Sequence, residues 1–176
     1  MKEVVAKKYV KALIASLNSD EFDRAESALV TLASAFKIEK LKVILDSPDI
    51  DGAKKANFVY SLLDNGSDKI RSFISLLGDN KRLALIPEIS KEFSYQKSIR
   101  DNAFTGLISG SFELNQNQQA QLEEKFSSKF GSKIDFEKIK NDYNGIKIEL
   151  DDLGVEVSFS IDRLKAQMSE YILKAI

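Results

Sequence analysis

The chain has 176 residues, of which 43% are hydrophobic and 30% are charged, and its formal net charge is −1. This balance excludes the strongly basic composition of most nucleic-acid-binding domains. The sequence contains no Cys, no His and no Trp. These absences exclude disulfides, thiol nucleophiles, imidazole bases and the usual zinc and copper ligands, so we expect neither a metal nor a cofactor.

Apolar residues recur at helical spacing over the first hundred residues. Phe22, Ala25, Leu29 and Leu32 follow one another at spacings of three, four and three, which is one stripe of a helix. Asn, Gly and Pro residues separate such stripes, so we predict six helices joined by short loops, as in a helical bundle. The predicted helices are about Lys2–Leu17, one capped by Asp20, Glu39–Leu45, Gly52–Leu63 capped by Asp51, one capped by Ser67 and ended by Gly78, and about Arg82–Arg100.

The spacing of the hydrophobic residues changes near Phe104, where short runs of alternating apolar and polar residues replace the helical stripes. Gly106 and Gly110 predict bends or bulges in the first strand. The turn at Asp151–Gly154 predicts a hairpin between the last two strands. The predicted elements are a strand Phe104–Phe112, a helix from Asn115 or Asn117 to Phe130, strands Lys133–Ile139, Ile146–Leu150 and Val155–Phe159, and a final helix capped by Ser160 or Asp162 with Leu164, Met168, Tyr171 and Ile172 on one side.

The predicted fold class is therefore α+β, with two modules built on different periods. Residues 1–103 are expected to form the six-helix bundle, and residues 104–176 a small α+β domain. No Pro- or Gly-rich linker separates the two modules. Two modules of different architecture predict two separate interaction surfaces.

The sequence gives little sign of catalysis. Asp151 and Asp152 form an acidic pair, but two acidic residues in a tight turn are typical of a solvated loop. The chain contains neither the G-x-x-x-x-G-K-[ST] string of a phosphate loop nor the G-x-G-x-x-G string of a dinucleotide site. We therefore predict that the protein is not an enzyme.

The first helix carries more apolar surface than a bundle helix needs. On a helical wheel its apolar residues cover about 200°, whereas an arc somewhat over about 100° is enough to meet a core. The surplus faces either further helices of the same bundle or a partner. In the second case Ala6 and Ala12 allow a foreign helix to approach closely beside Tyr9 and Leu13.

Several segments resemble one known family, the delta subunit of F-type ATP synthases, also called the oligomycin-sensitivity-conferring protein family. The run from Ala6 to Leu13 is similar to that family's opening A-x-x-Y-A-x-A-L pattern, and Asn80–Phe93 is similar to its N-x-R-L…I…F stretch. Gly131–Ile134 and Asn144–Ile146 resemble its C-terminal half. The resemblance extends over nearly the whole chain, in the family's order.

This resemblance implies a non-catalytic stator subunit of a proton-translocating F-type ATP synthase. In that role the first domain binds the N-terminal segment of an alpha subunit in the catalytic head, and the second binds the peripheral-stalk b subunits. The protein then resists rotor torque at the cytoplasmic face of the bacterial plasma membrane, which it reaches only through the complex. The head contacts implied are Ala6, Tyr9, Ala12 and Leu13 of the first helix, with Phe73, Ile74 and Leu77 of the fifth.

Two other function classes remain open on the sequence alone. Residues 1–100 contain 17 Lys or Arg against 14 Asp or Glu, a net charge of +3. A helical RNA-binding or transcription-associated module would use that positive half, with binding that weakens steeply as salt rises. An enzyme would have to rely on carboxylates such as Asp151 and Asp152.

Overall fold

The computed structural model describes residues 2–111 and 114–175. Within these residues it contains eight α-helices and a four-stranded sheet, which confirms the predicted α+β fold. Contacts divide the chain into two compact units, one ending at Gln96 and the other beginning at Lys97. The predicted division between residues 103 and 104 stays a prediction.

The helices of the first half follow one another with short connections. Their apolar faces contribute to one core, which includes Leu29, Leu32, Val59, Leu77 and Ile86. The helices are α1 Lys2–Ser16, α2 Ser19–Ala35, α3 Glu39–Asp46, α4 Gly52–Tyr60, α5 Asp68–Asp79 and, after a 3-10 turn at Leu83–Leu85, α6 Ile86–Asp101.

Of the three predicted helix caps in this half, one forms as predicted and two do not. The Ser67 hydroxyl caps α5 by accepting from the Ile70 amide, as predicted. The prediction that Asp20 caps α2 is wrong, because Asn18 accepts from the Glu21 amide at 3.0 Å while the Glu21 carboxylate accepts from the Asn18 amide at 2.9 Å. Asp51 is the N-cap residue of α4, but its side chain makes no capping hydrogen bond.

A close crossing joins α4 to α5. A Cβ atom added at Gly78 would lie 2.7 Å from the Gly52 carbonyl oxygen and 2.8 Å from the Ala56 Cβ. Only glycine at position 78 lets the two backbones approach this closely. This crossing holds one side of α5 against α4.

The sheet of the second unit has the strand order β2-β1-β3-β4. Strand β1 pairs with β2 in parallel, and antiparallel pairing joins β1 to β3 and β3 to β4, which confirms the predicted hairpin. Helix α7 packs against β2. The elements are β1 Ala103–Gly110, α7 Gln116–Phe130, β2 Lys133–Lys140, β3 Gly145–Leu150, β4 Val155–Ser160 and α8 Ile161–Ala175.

Strand β1 is continuous through both of its glycines. The pairing with β2 runs without interruption from Ala103 to Gly110, so the predicted bulges are wrong. Gly106 is required for packing instead, since a Cβ there would lie 2.6 Å from the Phe136 ring and 2.7 Å from Leu150 Cδ2. The predicted end of this strand at Phe112 lies outside the described residues.

Candidate functional site

Helix α1 divides its apolar residues between the core and the surface. Ala6, Val10 and Leu13 are buried in the core. Tyr9 is half-buried and Ala12 is exposed. The wide apolar arc seen in the sequence is thus mostly a core face, and its accessible edge is the side on which Tyr9 and Ala12 lie.

The predicted contacts on α5 lie on the core side of that helix. Phe73, Ile74 and Leu77 are all buried. Leu76 is 47% exposed. Leu76 lies three residues after Phe73, so it is a neighbour of Phe73 at the solvent-exposed edge of the buried face of α5. The sequence-based site omits Leu76, although it belongs to the same apolar run.

Helices α1 and α5 are neighbours at these residues. The Tyr9 and Phe73 rings meet edge to face with centroids 6.2 Å apart, and the Arg82 guanidinium lies 5.7 Å from the Tyr9 ring centroid. Nearer the end of α1, the Lys69 ammonium donates to the Ser16 carbonyl oxygen at 2.7 Å. These contacts define an α1–α5 surface, on which Tyr9 and Ala12 are the accessible apolar residues of α1. Leu76 is the exposed apolar residue of α5, and it also lines a cavity with Ala56 and Tyr60 of α4.

The structure therefore brings all seven predicted contact residues to one pair of helices but exposes only part of the set. Ala6 and Leu13 of α1 are buried beneath this surface, and so are the three residues of α5. Their contact with a partner stays a prediction. Tyr9 and Ala12 are the two members that a partner reaches without a change in packing.

A second apolar surface lies at the end of the chain. Val157 and Phe159 of β4 are about half exposed, although hydrophobic residues of this size are usually buried. Helix α8 exposes every side chain described from Asp162 to Lys174. Four of its large apolar residues fall on one face, as the sequence spacing predicted, and they are Leu164, Met168, Tyr171 and Ile172, whereas Leu173 lies off this face.

The acidic pair Asp151–Asp152 lies in a 3-10 turn between β3 and β4. Partial desolvation, followed by the charge of Asp151, raises the pKa of the Asp152 carboxyl. Residues 2–111 and 114–175 contain no group of three or more Asp or Glu side chains arranged to hold a metal ion. The turn accounts for this pair without a catalytic role.

No helix within residues 2–111 and 114–175 is both long enough and apolar enough to cross a bilayer.

Comparisons with known proteins agree with one another. The family described as ATP synthase delta (OSCP) subunit matches residues 5–168. Proteins named ATP synthase subunit delta are 70% identical in Campylobacter fetus, 51% in Campylobacter curvus and 40% in Aliarcobacter butzleri, each over 100% of both chains. The alignments leave no part of these relatives unmatched.

A solved structure gives the same result for the fold. One chain of the Toxoplasma gondii mitochondrial ATP synthase hexamer superposes with a TM-score of 0.61, covering 96% of this chain and 97% of that one. The two sequences are 14% identical, so this likeness shows the fold alone.

Proposed function

The chain belongs to the ATP synthase delta (OSCP) subunit family, and on this premise we propose that it joins the catalytic head of an F-type ATP synthase to the peripheral stalk. As a member of this family it is a non-catalytic subunit of the stator, within a membrane-associated complex. The family assignment gives no support to the alternative of an RNA-binding or transcription-associated module. The observation that carries the proposal is the presence of one accessible apolar surface on each of the two units.

The first unit binds the head through the α1–α5 surface. Its occupant is the N-terminal segment of an alpha subunit, bound as an amphipathic helix whose apolar face lies along Tyr9, Ala12 and Leu76. The small side chain of Ala12 permits close approach, while Tyr9 offers an aromatic anchor held in place by Phe73. Aromatic anchors of this kind commonly dominate the energy of a protein interface.

The second unit binds the stalk through β4 and α8. Val157 and Phe159 are exposed on the strand that precedes α8, whose apolar face is also exposed, and such surfaces usually mark interaction sites. Its occupants are the C-terminal ends of the b subunits. The six helices of residues 1–103 then form the compact head-binding bundle, and residues 104–176 form the stalk-binding domain.

This arrangement holds the head still against the torque of the rotor, so that proton flow is coupled to ATP synthesis. The protein acts at the cytoplasmic face of the bacterial plasma membrane and reaches the membrane only through the complex. The relatives in Campylobacter and Aliarcobacter, both named ATP synthase subunit delta, match this chain over their full lengths, which supports the proposal.

Co-purification from membranes tests this function. An affinity-tagged chain is expected to bring down the head and the stalk subunits together. Leu76→Asp is expected to lose the head and keep the stalk, and Phe159→Asp to do the reverse. Lys11→Asp is the matched control, because it places the same charge on an exposed residue of the lysine-rich side of α1. Loss of both partners in both test variants, or of neither, would contradict the assignment of one surface to each partner.

A further inference from the structure

Helix α7 covers only part of one face of the sheet. The Phe126 ring meets the Phe136 ring edge to face with centroids 5.3 Å apart, which places α7 over β2. By register, Val157 lies opposite Ile148, and Ile148 lies opposite Ile108, whose side chain belongs to the same core. Val157 and Phe159 therefore share the covered face, yet they are 49% and 53% exposed.

The uncovered part of this face has room for one helix. A helix is about 10 Å across, and two neighbouring strands together span a similar width, at about 4.8 Å per strand. A four-stranded sheet thus takes two helices on one face, and α7 supplies one of them. The second position lies over β4 at the edge of the sheet, because Ile148 and Leu150 of β3 are already buried.

Helix α8 has the apolar pattern that this position requires. Leu164, Met168 and Ile172 recur every four residues, a repeat of about 6.0 Å along a helix. Phe159, Val157 and Val155 recur every two residues, a repeat of about 6.6 Å along a strand. Running antiparallel to β4, α8 would set its three apolar residues against those of β4, in the order Leu164–Phe159, Met168–Val157 and Ile172–Val155.

The junction between β4 and α8 contains two alternative helix caps. In the structure α8 begins directly after β4, and the Arg163 amide donates to the Ser160 hydroxyl at 3.3 Å. Asp162 is an equally suitable cap residue two positions later. A helix that begins after Asp162 leaves Ile161 and Asp162 as a two-residue connection, which is enough to reverse the chain between a strand and a helix.

Asn144 holds the junction in its observed form. Its carbonyl oxygen accepts from the Ile161 amide at 2.9 Å, and its side-chain amide donates to the Asp162 carboxylate at 2.8 Å. This bond holds Asp162 within the first turn of α8, where Asp162 is not in the N-cap position of a shorter helix. Release of Asn144 is therefore the step that separates the two positions of α8.

We propose that α8 has a second, closed position, in which it folds back onto β4 and covers the surface that the stalk uses. This closed position buries the exposed apolar residues of β4 and α8 against each other and replaces the Ser160 cap with Asp162. Stalk binding then requires α8 to open, and the observed structure is the open position. The inference rests on the proposed function in taking the stalk as the partner that opens α8.

Engineered disulfides test the closed position, because the natural chain has no Cys. The full-length variant Val157→Cys/Met168→Cys places one thiol on each side of the expected contact, where a disulfide requires Cβ atoms about 3.5–4.5 Å apart. Under mild oxidation at low protein concentration, most chains are expected to form a disulfide within the monomer. Asn144→Ala in the same background is expected to raise the yield, since it removes the bond to Asp162.

The matched control is Ser158→Cys/Met168→Cys, because Ser158 points to the opposite face of β4. This pair is expected to keep its thiols free. Equal yields from the two pairs, no disulfide from either, or a disulfide that joins two chains would overturn the proposal.

Binding to the stalk distinguishes this inference from the proposed function. The oxidised Val157→Cys/Met168→Cys chain is expected to lose stalk binding and regain it after reduction. Unchanged binding by the oxidised chain would overturn the covering role of α8. Failure of the reduced chain and of the natural chain to bind the stalk would contradict the proposed function instead, while the disulfide yield would still decide whether α8 closes.

Discussion

Tyr9 on α1 and Phe73 on α5 meet edge to face, with ring planes inclined at 76°. Phe73 is buried, whereas Tyr9 remains half-accessible and lies beneath the Arg82 guanidinium. The contact joins the two helices that carry the proposed head-binding surface. A substitution at Tyr9 therefore changes both the packing of α1 on α5 and the surface offered to a partner.

Two substitutions at Tyr9 distinguish the contribution of its ring from that of its hydroxyl. Tyr9→Ala is expected to weaken binding of a peptide from the alpha-subunit N-terminus by about 2 kcal/mol or more, because it removes an aromatic anchor. Loss of the edge-to-face pair also lowers the free energy of unfolding by about 0.5–1.5 kcal/mol beyond the lost burial. Tyr9→Phe keeps the ring and is expected to preserve both quantities. Calorimetric titration and denaturant unfolding measure them, and full-strength binding by folded Tyr9→Ala would contradict the surface.

Leu76 and Leu77 are neighbours in sequence with opposite surroundings. Leu76 is 47% exposed and Leu77 is 0% exposed. Leu77→Ala is expected to lower the free energy of unfolding by about 2–5 kcal/mol because it leaves a cavity in the core. Leu76→Ala is expected to change the free energy of unfolding by no more than about 0.5 kcal/mol, as at other surface positions. The same variant is expected to bind the alpha-subunit peptide more weakly. The result to watch for is a destabilised Leu76→Ala, which would place Leu76 in the core rather than on the surface.

The different surroundings of Leu76 and Leu77 also show what helical periodicity predicts and what it does not. An apolar arc identifies residues that leave water, but it does not tell which of them meet the protein's own core. Ala6 and Ala12 are identical side chains on α1, and only Ala6 is buried, because only Ala6 lies on the part of the arc that meets the core. The choice of Asn18 over Asp20 as a cap involves Lys69, which donates to Glu21 from 48 residues away.

The second half of the chain shows the same limit. The hairpin of β3 and β4 is predictable, since its turn and both strands are contiguous in sequence. The parallel pairing of β1 with β2 is not, because these strands are separated by α7. The sequence predicted a bulge at Gly106, since the side chains that leave no room for a Cβ there belong to Phe136 and Leu150, which are distant in sequence. Sequence patterns therefore predict local structure such as this hairpin, but they do not show which distant residues pack together.

The crossing of α4 and α5 predicts an unusual response to a small substitution. In an exposed helix, Gly→Ala stabilises by about 0.5–1 kcal/mol. At Gly78 the added methyl would lie 2.7 Å from the Gly52 carbonyl oxygen, so the helices must separate. Overpacking of this kind typically costs about 1–3 kcal/mol, and we expect Gly78→Ala to lower stability. Ser75→Ala on the exposed side of α5 is the control. Thermal unfolding of both variants measures the difference, and a stabilised Gly78→Ala would show that the crossing relaxes freely.

The link between Glu21 and Lys69 predicts a dependence of stability on acid. The Asn18 backbone amide, followed by the Lys69 ammonium 2.6 Å away, lowers the pKa of the Glu21 carboxyl. A lowered pKa in the folded state means that this group stabilises the fold above its unfolded pKa and loses the effect as pH falls through its folded pKa. Glu21→Gln keeps an acceptor for the capping box but removes the charge. The natural chain is therefore expected to be more stable than Glu21→Gln at pH 7, and the gap should close in strong acid. Denaturant unfolding of both chains across this range measures the gap, and a difference that is independent of pH would show that the ion pair does not contribute.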